Sequence, residues 1–287
     1  MRITNNNGLP APILTAILAN PYSRGTSNIS VTDLIEPPRL VALREKHSEG
    51  LTADASDLIW SLMGQAMHSI LEKAGIASGK GETEKRFYAE TDGWVWSGQF
   101  DYIDEEGILW DWKFVSVYEY INGIKESRPR QLNLYALLAS LNGMDVRGLR
   151  VGYIFRDWST RSAQNDKSYP QAQAVAVEIP LWTKEEQEQY LKDRIECHQR
   201  AQEAILTPDQ AELVECTPEE RWAKPDTWAV IKKGNQRATR VFPSLEQAEL
   251  YTADTKDFRV EHREGESTRC KYYCPVLQWC EQGQKLV

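Results

Sequence analysis

The chain has 287 residues, enough for one large α/β domain or for a main domain with a small appendage. Hydrophobic residues make up 41% and charged residues 26%, which is ordinary for a soluble globular protein. No run of about eighteen apolar residues occurs, and the apolar residues 9–19 lack a basic leading segment, so the sequence predicts neither a transmembrane helix nor a secretory signal. We therefore expect a cytoplasmic protein with no membrane partner.

The net charge of −8 argues weakly against nucleic-acid binding, since proteins that bind polyanions usually carry a basic surplus. Residues 221–242 depart from this balance, with six basic side chains against Asp226 alone. Within this stretch, residues 227–242 are predicted to form a hairpin that turns near Gly234, and its basic residues are Lys232, Lys233, Arg237 and Arg240. Such a hairpin is suited to contacting phosphates without reading sequence, and an ordinary solvated hairpin is the alternative.

Composition along the chain predicts three segments. Residues 1–28, rich in Asn, Pro, Gly and Ser, are expected to be irregular. Residues 29–215 form the main domain and begin with 29–35, which fit either a short strand or a capped helical turn. Residues 216–287 form a small basic unit with a ββαβ order.

A helix is predicted at about 54–74, because apolar residues recur there at helical spacing. His68 and Glu72 lie one turn apart on a different face of this helix. Gly64, one turn before His68, would leave room beside the imidazole. The alternative is that His68 is an ordinary helical residue.

Residues 94–114 read as a β-hairpin around the loop 105–107, whose glycine occupies the position that favours a left-handed conformation. Facing residues then have numbers that sum to 212, so Asp101 lies opposite Asp111. Lys113 shares their face because side chains alternate along a strand. Opposed carboxylates repel each other unless a divalent cation lies between them.

Further elements complete an α/β core with a mixed sheet. They are strands at 84–90, 149–156 and 173–181, a helix at 129–142, and a helix from about 183 to 205 that opens with a capping box. The helix at 129–142 carries Gln131 and Tyr135 one turn apart among leucines, so we expect it to be well buried. The alternatives are that Tyr135 is an ordinary core aromatic residue and that Gln131 is an exposed polar residue.

Five cysteines occur in the chain, and an odd number in a cytosolic protein indicates a metal site plus a spare thiol. Cys270, Cys274 and Cys280 fall within eleven residues, and Cys216 is the sensible fourth ligand. Four cysteines suit zinc or a [4Fe–4S] cluster, and their spacing does not decide between the two. Either metal would close 217–269 at its base, and buried reduced thiols are the alternative. Cys197 is predicted to be the spare thiol.

Two opposed carboxylates, a lysine two residues beyond one of them and an upstream histidine suit metal-assisted phosphodiester hydrolysis. Mg²⁺ and Mn²⁺ prefer hard oxygen ligands and bind through a few carboxylates, water and substrate phosphate. Lys113 would position the attacking water or neutralise charge developing on the phosphoryl oxygens.

These motifs together resemble the PD-(D/E)xK nuclease superfamily, and its RecB-like branch in particular. The resemblance rests on His68, Gly98-x-x-Asp101, Asp111-x-Lys113 and Gln131-x-x-x-Tyr135, and it covers roughly 29–156 and the C-terminal cysteines. It implies a restriction-endonuclease-like core, with a mixed central sheet flanked by helices, beside the ββαβ appendage and its cysteine-ligated metal staple. The signature proline of the superfamily is Phe100 here.

The resemblance also implies roles for individual residues. His68, Asp101 and Asp111 would bind Mg²⁺ or Mn²⁺ together with the backbone carbonyl of Phe114, and Lys113 would be the catalytic lysine. The other implied residues are Gln131 and Tyr135, which would hold the DNA end or the active-site geometry, and Glu72 and Glu84, which would support the ligands.

The C-x₃-C-x₅-C tail resembles that of RecB-like nucleases with an iron–sulfur cluster, such as the AddB nuclease domain and CRISPR-associated nucleases. The resemblance therefore favours [4Fe–4S] over zinc. In those proteins the first cysteine precedes the nuclease core, whereas here no cysteine precedes Cys197.

The sequence thus predicts a metal-dependent deoxyribonuclease, an exonuclease acting on DNA ends or single strands in recombination, repair or phage DNA processing. A structure- or sequence-specific endonuclease on the same core is one alternative. A non-catalytic DNA-binding or assembly protein is another. DNA is the expected partner, with a recombination or replication protein as a further one, in the cytoplasm of the cell or of the phage host.

Overall fold

The computed structural model describes residues 1–19, 25–83, 85–207, 210, 212–253 and 257–287. The fold is mixed α/β, and two of the sheets in the described residues contain both parallel and antiparallel neighbours. The chain divides into two compact units. Unit 1 comprises Met1–Glu36 and Thr52–Gln199, and unit 2 comprises Pro37–Leu51 and Arg200–Val287.

Unit 1 contains most of the regular structure. Its strands are β1 (Arg2–Thr4), β2 (Ile29–Ser30), β3 (Thr52–Asp54), β4 (Gly81–Thr83), β5 (Arg86–Thr91), β6 (Trp94–Gln99), β7 (Tyr102–Asp104), β8 (Ile108–Val115), β9 (Gly148–Phe155) and β10 (Ala174–Ile179). Its helices are α1 (Ala11–Leu18), α2 (Val31–Leu34), α4 (Ile59–Ser78), α5 (Val117–Ile121), α6 (Ser127–Leu141), α7 (Thr160–Asn165) and α8 (Lys184–Ala204). Helix α3 (Pro38–Lys46) belongs to unit 2. Helix α8 runs across the boundary at Gln199.

The largest sheet of unit 1 has five strands in the order β10-β9-β8-β7-β4. Strands β8 and β9 are parallel, whereas the other neighbours are antiparallel, as predicted for a mixed sheet. A second sheet has the order β2-β6-β5. The predicted strands at 84–90, 149–156 and 173–181 are confirmed as β5, β9 and β10.

The predicted hairpin is confirmed in its loop and register but not in its first strand. Gly107 has φ of +78°, and its N–H donates to the Asp104 carbonyl. Tyr102 pairs with Trp110, which fits the predicted sum of 212. The chain, however, leaves the strand at Phe100, whose buried ring stacks on Phe87 with centroids 5.3 Å apart. Residues before the break form β6 in the other sheet, so no ladder pairing extends to the two opposed carboxylates.

The N-terminal segment is regular where an irregular one was predicted. Strand β1 pairs in parallel with β3, and α1 follows. Polar residues that suggested a loop serve this pairing, because Asp54 accepts hydrogen bonds from the Asn6 N–H at 2.7 Å and from the Thr4 hydroxyl at 3.0 Å. Residues 29–35 combine both predicted alternatives. A two-residue strand runs into α2, and the Ser30 hydroxyl caps that helix by accepting from the Asp33 N–H.

Helix α4 confirms the helix predicted at 54–74, preceded by a 3₁₀ turn at Ala55–Leu58. Its apolar stripe does not enter the core, because no residue of α4 is buried. Met63 and Ile70 are exposed instead. Among the helices in the described ranges, none combines the length and apolar character needed to cross a membrane.

Helix α6 confirms the helix predicted at 129–142 and is well buried, as expected. Its fully buried Asn133 joins it to the segment between β10 and α8. The amide donates to the carbonyls of Pro129 and Pro180 and accepts from the Trp182 N–H and the Gln187 side chain. The capping box that opens α8 is present, with Thr183 and Glu186 bonded reciprocally.

Unit 2 departs from the predicted boundaries of 29–215 and 216–287, since it also takes Pro37–Leu51 and the chain from Arg200. The reason is burial: Leu40 and Leu43 of α3 share one apolar cluster with Ala201 and Val276. Its other elements are β11 (Ala223–Lys224), β12 (Thr227–Lys232), β13 (Arg240–Phe242), β14 (Phe258–Arg263), β15 (Glu266–Ser267), α9 (Leu245–Thr252), α10 (Thr268–Tyr272) and α11 (Glu281–Gln284).

The predicted ββαβ order is confirmed by β12, β13, α9 and β14, whose strands form a sheet in the order β13-β12-β14. A second, two-stranded sheet pairs β11 with β15. Val230, Phe242 and Ala248 form a small separate core beneath α9.

Candidate active site

A cleft of about 740 Å³ in unit 1 brings the predicted catalytic side chains together. The predicted residues that line it are His68, Glu72, Asp101, Asp111, Lys113, Gln131 and Tyr135. Phe114, whose carbonyl was expected at the metal, is not among the residues that line the cleft. Glu84 lies outside the described residues.

Strand β8 supplies the central pair of the cleft. Leu109, Asp111 and Lys113 alternate along one face, so Asp111 is only 3% exposed beside the fully buried Leu109. The Lys113 Nζ lies 2.6 Å from the Asp111 carboxylate and donates to Oδ1. Oδ2 is buried and lies 2.6 Å from the same ammonium, but it accepts no hydrogen bond of good geometry from the described residues. Asp111 and Lys113 therefore form a buried ion pair in which only one of the two carboxylate oxygens accepts a hydrogen bond.

Burial dominates the protonation of Asp111. It raises the pKa of that carboxyl, Lys113 opposes the rise, and the neighbouring Asp101 adds to it. A cation placed near the unbonded oxygen would stabilise the ionised form.

Asp101 lies in the short connection between β6 and β7, and both of its carboxylate oxygens have partners. Oδ2 accepts from the Trp112 N–H of β8 at 2.6 Å, and Oδ1 lies 3.1 Å from the His68 Nδ1 of α4. The hydrogen bond to Asp101 raises the pKa of His68, while burial opposes that rise. A backbone contact thus holds Asp101 next to Asp111, where the predicted ladder does not.

Gln131 and Tyr135 meet at the wall of the cleft, where the Gln131 Nε2 donates to the Tyr135 hydroxyl at 3.3 Å. Both side chains are largely buried. Gly98 lies against the ring of Tyr135, since a Cβ at this position would come within 2.8 Å of it. The ring of Tyr135 fits here because glycine has no side chain at position 98.

Arg128 is a functional candidate that the sequence analysis missed. Its Nη2 donates to the Glu119 carboxylate at 2.6 Å, and its buried Nε has no hydrogen-bond partner among the described residues. Burial opposes protonation of Arg128, but the charges of Asp111 and Glu119 outweigh it and raise its pKa. The sequence offers no signal for this role, because an arginine before a proline reads as a helix start.

Arg86 and Gln99 were also missed, although both line the cleft. They face each other across the antiparallel pair β5–β6. The numbers of facing residues in this pair of strands sum to 185. The sequence analysis predicted no register for it, although Asp92 and Gly93 lie at the turn. Hydroxyl and amide side chains complete the polar lining, and they are Ser30, Thr32, Ser61, Gln65 and Ser69.

The donor set matches a divalent ion in chemical type. The carboxylates of Asp101 and Asp111 and the imidazole of His68 line the same cleft. As they stand, no three His, Cys, Asp or Glu side chains in the described parts of the chain are arranged to hold a metal ion.

In unit 2, the four predicted cysteine ligands line one small cavity, and Cys197 lies apart from them in unit 1. The buried Arg39 donates its Nε–H to the Cys280 Sγ at 3.3 Å, and the Gly283 N–H donates to the same sulfur. Burial raises the pKa of Cys216 to about 12, and it also raises the pKa of Cys270.

The four basic residues of the predicted hairpin lie on β12, the following turn and β13, and all four are exposed. The guanidinium of Arg240 lies over the rings of Phe242 and Tyr251, with its Cζ 5.1 and 5.7 Å from their centroids. The structure thus places these cations on one exposed hairpin of unit 2.

Comparison with known proteins gives little. No protein-family model matches the chain, and no curated protein matches it. A solved structure described as "Crystal structure of SSO0001" aligns with 72% of this chain and 99% of its own, at 19% identity and a TM-score of 0.43. A likeness this weak carries no argument about fold or function.

Proposed function

We propose that this protein is a metal-dependent deoxyribonuclease whose active site is the cleft of unit 1. One observation carries the proposal: the buried Asp111 contacts Lys113 at 2.6 Å, with one carboxylate oxygen that accepts no hydrogen bond from the described residues, in a polar cleft that Asp101 and His68 also line. A buried, incompletely bonded carboxylate is costly in a merely structural position, and such groups concentrate at functional sites.

Asp101, Asp111 and His68 would hold the metal, for which Mg²⁺ or Mn²⁺ suits the carboxylates. When bound, such an ion polarises a phosphoryl oxygen and lowers the pKa of a water. Trp112 contributes by fixing Asp101 through its backbone N–H. Glu72, which lines the same cleft, would support the ligands.

Lys113 would leave its contact with Asp111 when a phosphodiester enters the cleft. Its ammonium would then donate to the phosphoryl oxygens as negative charge develops on them, or orient the attacking water. Gln131 and Tyr135 would hold the DNA end against the metal ligands, since their hydrogen bond fixes both side chains at the wall of the cleft.

We further infer that Cys216, Cys270, Cys274 and Cys280 bind a structural metal, either a [4Fe–4S] cluster or zinc. Their shared cavity supports this inference, as does the pair of N–H donors on the Cys280 sulfur. Hydrogen bonds to ligand sulfurs are typical around metal-bound thiolates. DNA would be the partner of the exposed basic hairpin as well as of the cleft.

The test is to incubate the purified full chain with linear duplex, single-stranded and closed circular DNA in Mg²⁺ or Mn²⁺. Asp111→Asn and Lys113→Gln are expected to lose about a hundredfold or more in cleavage rate, because the first removes a metal ligand and the second removes the cation at the phosphoryl oxygens. Lys184→Gln, which changes an exposed lysine 3.8 Å from Glu188, is the matched control and should cleave like the wild type.

The substrates separate the alternatives. Degradation of linear but not circular DNA indicates an exonuclease, whereas nicking of circles indicates an endonuclease. Undiminished cleavage by both cleft variants would refute the active-site assignment. A wild-type protein that binds DNA and never cleaves it would identify a non-catalytic DNA-binding protein.

A further inference from the structure

The cleft contains a cation that the proposed chemistry does not use. Arg86 faces it from β5, with Nη1 donating to the Ser97 hydroxyl at 3.1 Å and Nη2 donating to the Gln99 Oε1 at 3.5 Å. Ser97 is fully buried and is itself bonded to Ser27 at 2.8 Å. The guanidinium is therefore fixed from within the protein by neutral groups.

No carboxylate among the described residues forms an ion pair with Arg86. Three other arginines of unit 1, Arg128, Arg147 and Arg150, each contact a Glu or Asp within 3.0 Å. A guanidinium carries five N–H donors, and here neutral acceptors take two of them. Arg86 thus presents a positive charge beside an open cleft, with N–H donors that no described residue accepts.

The surroundings of Arg86 suit an anion that is also hydrogen-bonded. Ser30 and Thr32, whose hydroxyls lie 3.2 Å apart, line the same cleft as Ser61 and Gln65. Hydroxyl and amide groups of this kind are common partners of nucleic-acid phosphates, and arginine binds a phosphate with two parallel hydrogen bonds.

We propose that Arg86, oriented by Gln99, is a subsite for a DNA phosphate adjacent to the one that is hydrolysed. The inference rests on the proposed function, because it takes the substrate of the same cleft to be DNA. Arg86 is a binding residue in this scheme: it neutralises and positions the strand, while the carboxylates hold the metal and Lys113 acts on the scissile phosphate. The ligand chemistry is a phosphate, either an internal phosphodiester or a terminal phosphomonoester.

The test measures DNA affinity in EDTA, so that its result does not depend on cleavage. A fluorescent single strand of about 20 bases is titrated with the full chain at several salt concentrations. One lost phosphate contact flattens the slope of log Kd against log salt by about 0.7 for single strands. Arg86→Gln should show this change together with about tenfold weaker binding, since a hydrogen bond to a charged group is removed.

Two further variants keep the result specific. Arg86→Lys retains the charge and should retain the salt slope, although it loses the two-point contact. Arg147→Gln removes an exposed arginine that is paired with Asp145 and lies outside the cleft lining, so it should bind like the wild type. An unchanged slope in Arg86→Gln overturns the proposal.

The source of the phosphate is identified by comparing strands with a 5′-phosphate, a 3′-phosphate and hydroxyl ends. A terminal subsite predicts that the wild type prefers one phosphorylated end and that Arg86→Gln abolishes the preference. An internal subsite predicts an equal loss for all three strands. If the wild type binds DNA with an Arg86-dependent slope but cleaves nothing with metal added, the subsite stands and the nuclease proposal fails.

Discussion

Gly98 shows how a single residue shapes the candidate site. It lies on β6 where a Cβ would come within 2.8 Å of the Tyr135 ring and 2.9 Å of the Val31 side chain. Both neighbours belong to the buried core, so neither moves without cost. The position therefore requires a residue without a side chain.

Gly98→Ala is expected to destabilise the protein by about 1–3 kcal/mol through overpacking, and to reduce cleavage by displacing Tyr135. The measurement is the free energy of unfolding in urea, alongside the cleavage rate. Gly64→Ala is the matched control, because a Cβ there meets nothing within 4 Å and alanine favours the helix by up to about 1 kcal/mol. Equal stability of the two variants would contradict the packing argument.

At this scale, the sequence could predict residues whose roles follow from local geometry. The alternation of a strand places Asp111 and Lys113 on one face, and one helical turn separates Gln131 from Tyr135. Arg86 and Arg128 could not be found in this way. Their roles depend on which residues lie across a sheet pairing or beneath a buried carboxylate, and no spacing within the chain encodes those contacts.

At the scale of elements, a residue in the connection after β9 fixes the end of β8. Asp157, just after β9, accepts hydrogen bonds from the Ser116 hydroxyl at 2.6 Å and from the Val117 N–H at 2.7 Å. These bonds hold the pKa of Asp157 below its usual value, with the Ser116 bond the larger cause. The contact fixes the turn that leads from β8, which carries Lys113, into α5.

Asp157→Ala should lower the free energy of unfolding by no more than about 1 kcal/mol at pH 7, because the carboxylate is exposed to water. A depressed folded pKa stabilises the protein above the unfolded pKa, and this stabilisation disappears as the pH falls through the folded pKa. The difference from the wild type should thus persist at neutral pH and shrink below about pH 4. Urea unfolding at several pH values measures it.

Asp145→Ala provides the control for this prediction. Its carboxylate forms an exposed ion pair with Arg147 at 2.8 Å, and such pairs contribute about 0–1 kcal/mol. A difference for Asp157→Ala that stays constant down to pH 2 would contradict the assigned hydrogen bonds.

Element boundaries were predictable where caps and turns mark them. Gly107 and the Thr183–Glu186 box define their elements through local hydrogen bonds, and the sequence predicts them correctly. The interruption of the strand at Phe100 is different. Packing of the Phe100 ring on Phe87 in the core outweighs the β-forming character of residues 94–104. Helix α4 shows the converse, since an amphipathic pattern does not reveal whether a partner covers it.

At the scale of the whole molecule, the chain forms two units, and unit 2 is discontinuous in sequence. Helix α3 is separated from the rest of unit 2 by about half of the chain, yet its leucines lie in the same apolar cluster as Val276. Sequence reasoning draws boundaries between neighbouring segments, so it found the ββαβ order and missed α3. Arg39 of α3, which contacts Cys280, was missed for the same reason.

The cysteine cavity gives a prediction for unit 2 as a whole. Cys280 receives N–H groups from Arg39 and Gly283, which fixes its sulfur, and Arg221 and Arg269 also line the cavity. The arginines would offset the negative charge of metal-bound thiolates. A metal bound only in the folded state stabilises that state, and structural zinc contributes on the order of 10 kcal/mol.

Cys280→Ser is therefore expected to lose the bound metal and the cooperative unfolding of unit 2, whereas Cys197→Ser should keep both. Cys197 is the matched control because it is a thiol on α8 outside the cavity. Elemental analysis of the purified full chain measures the metal. Iron with sulfide and a brown colour identifies the cluster, and stoichiometric zinc identifies the alternative. A metal-free wild type with the same unfolding profile as Cys280→Ser would show that the cavity holds four reduced thiols, which is the alternative to a metal site.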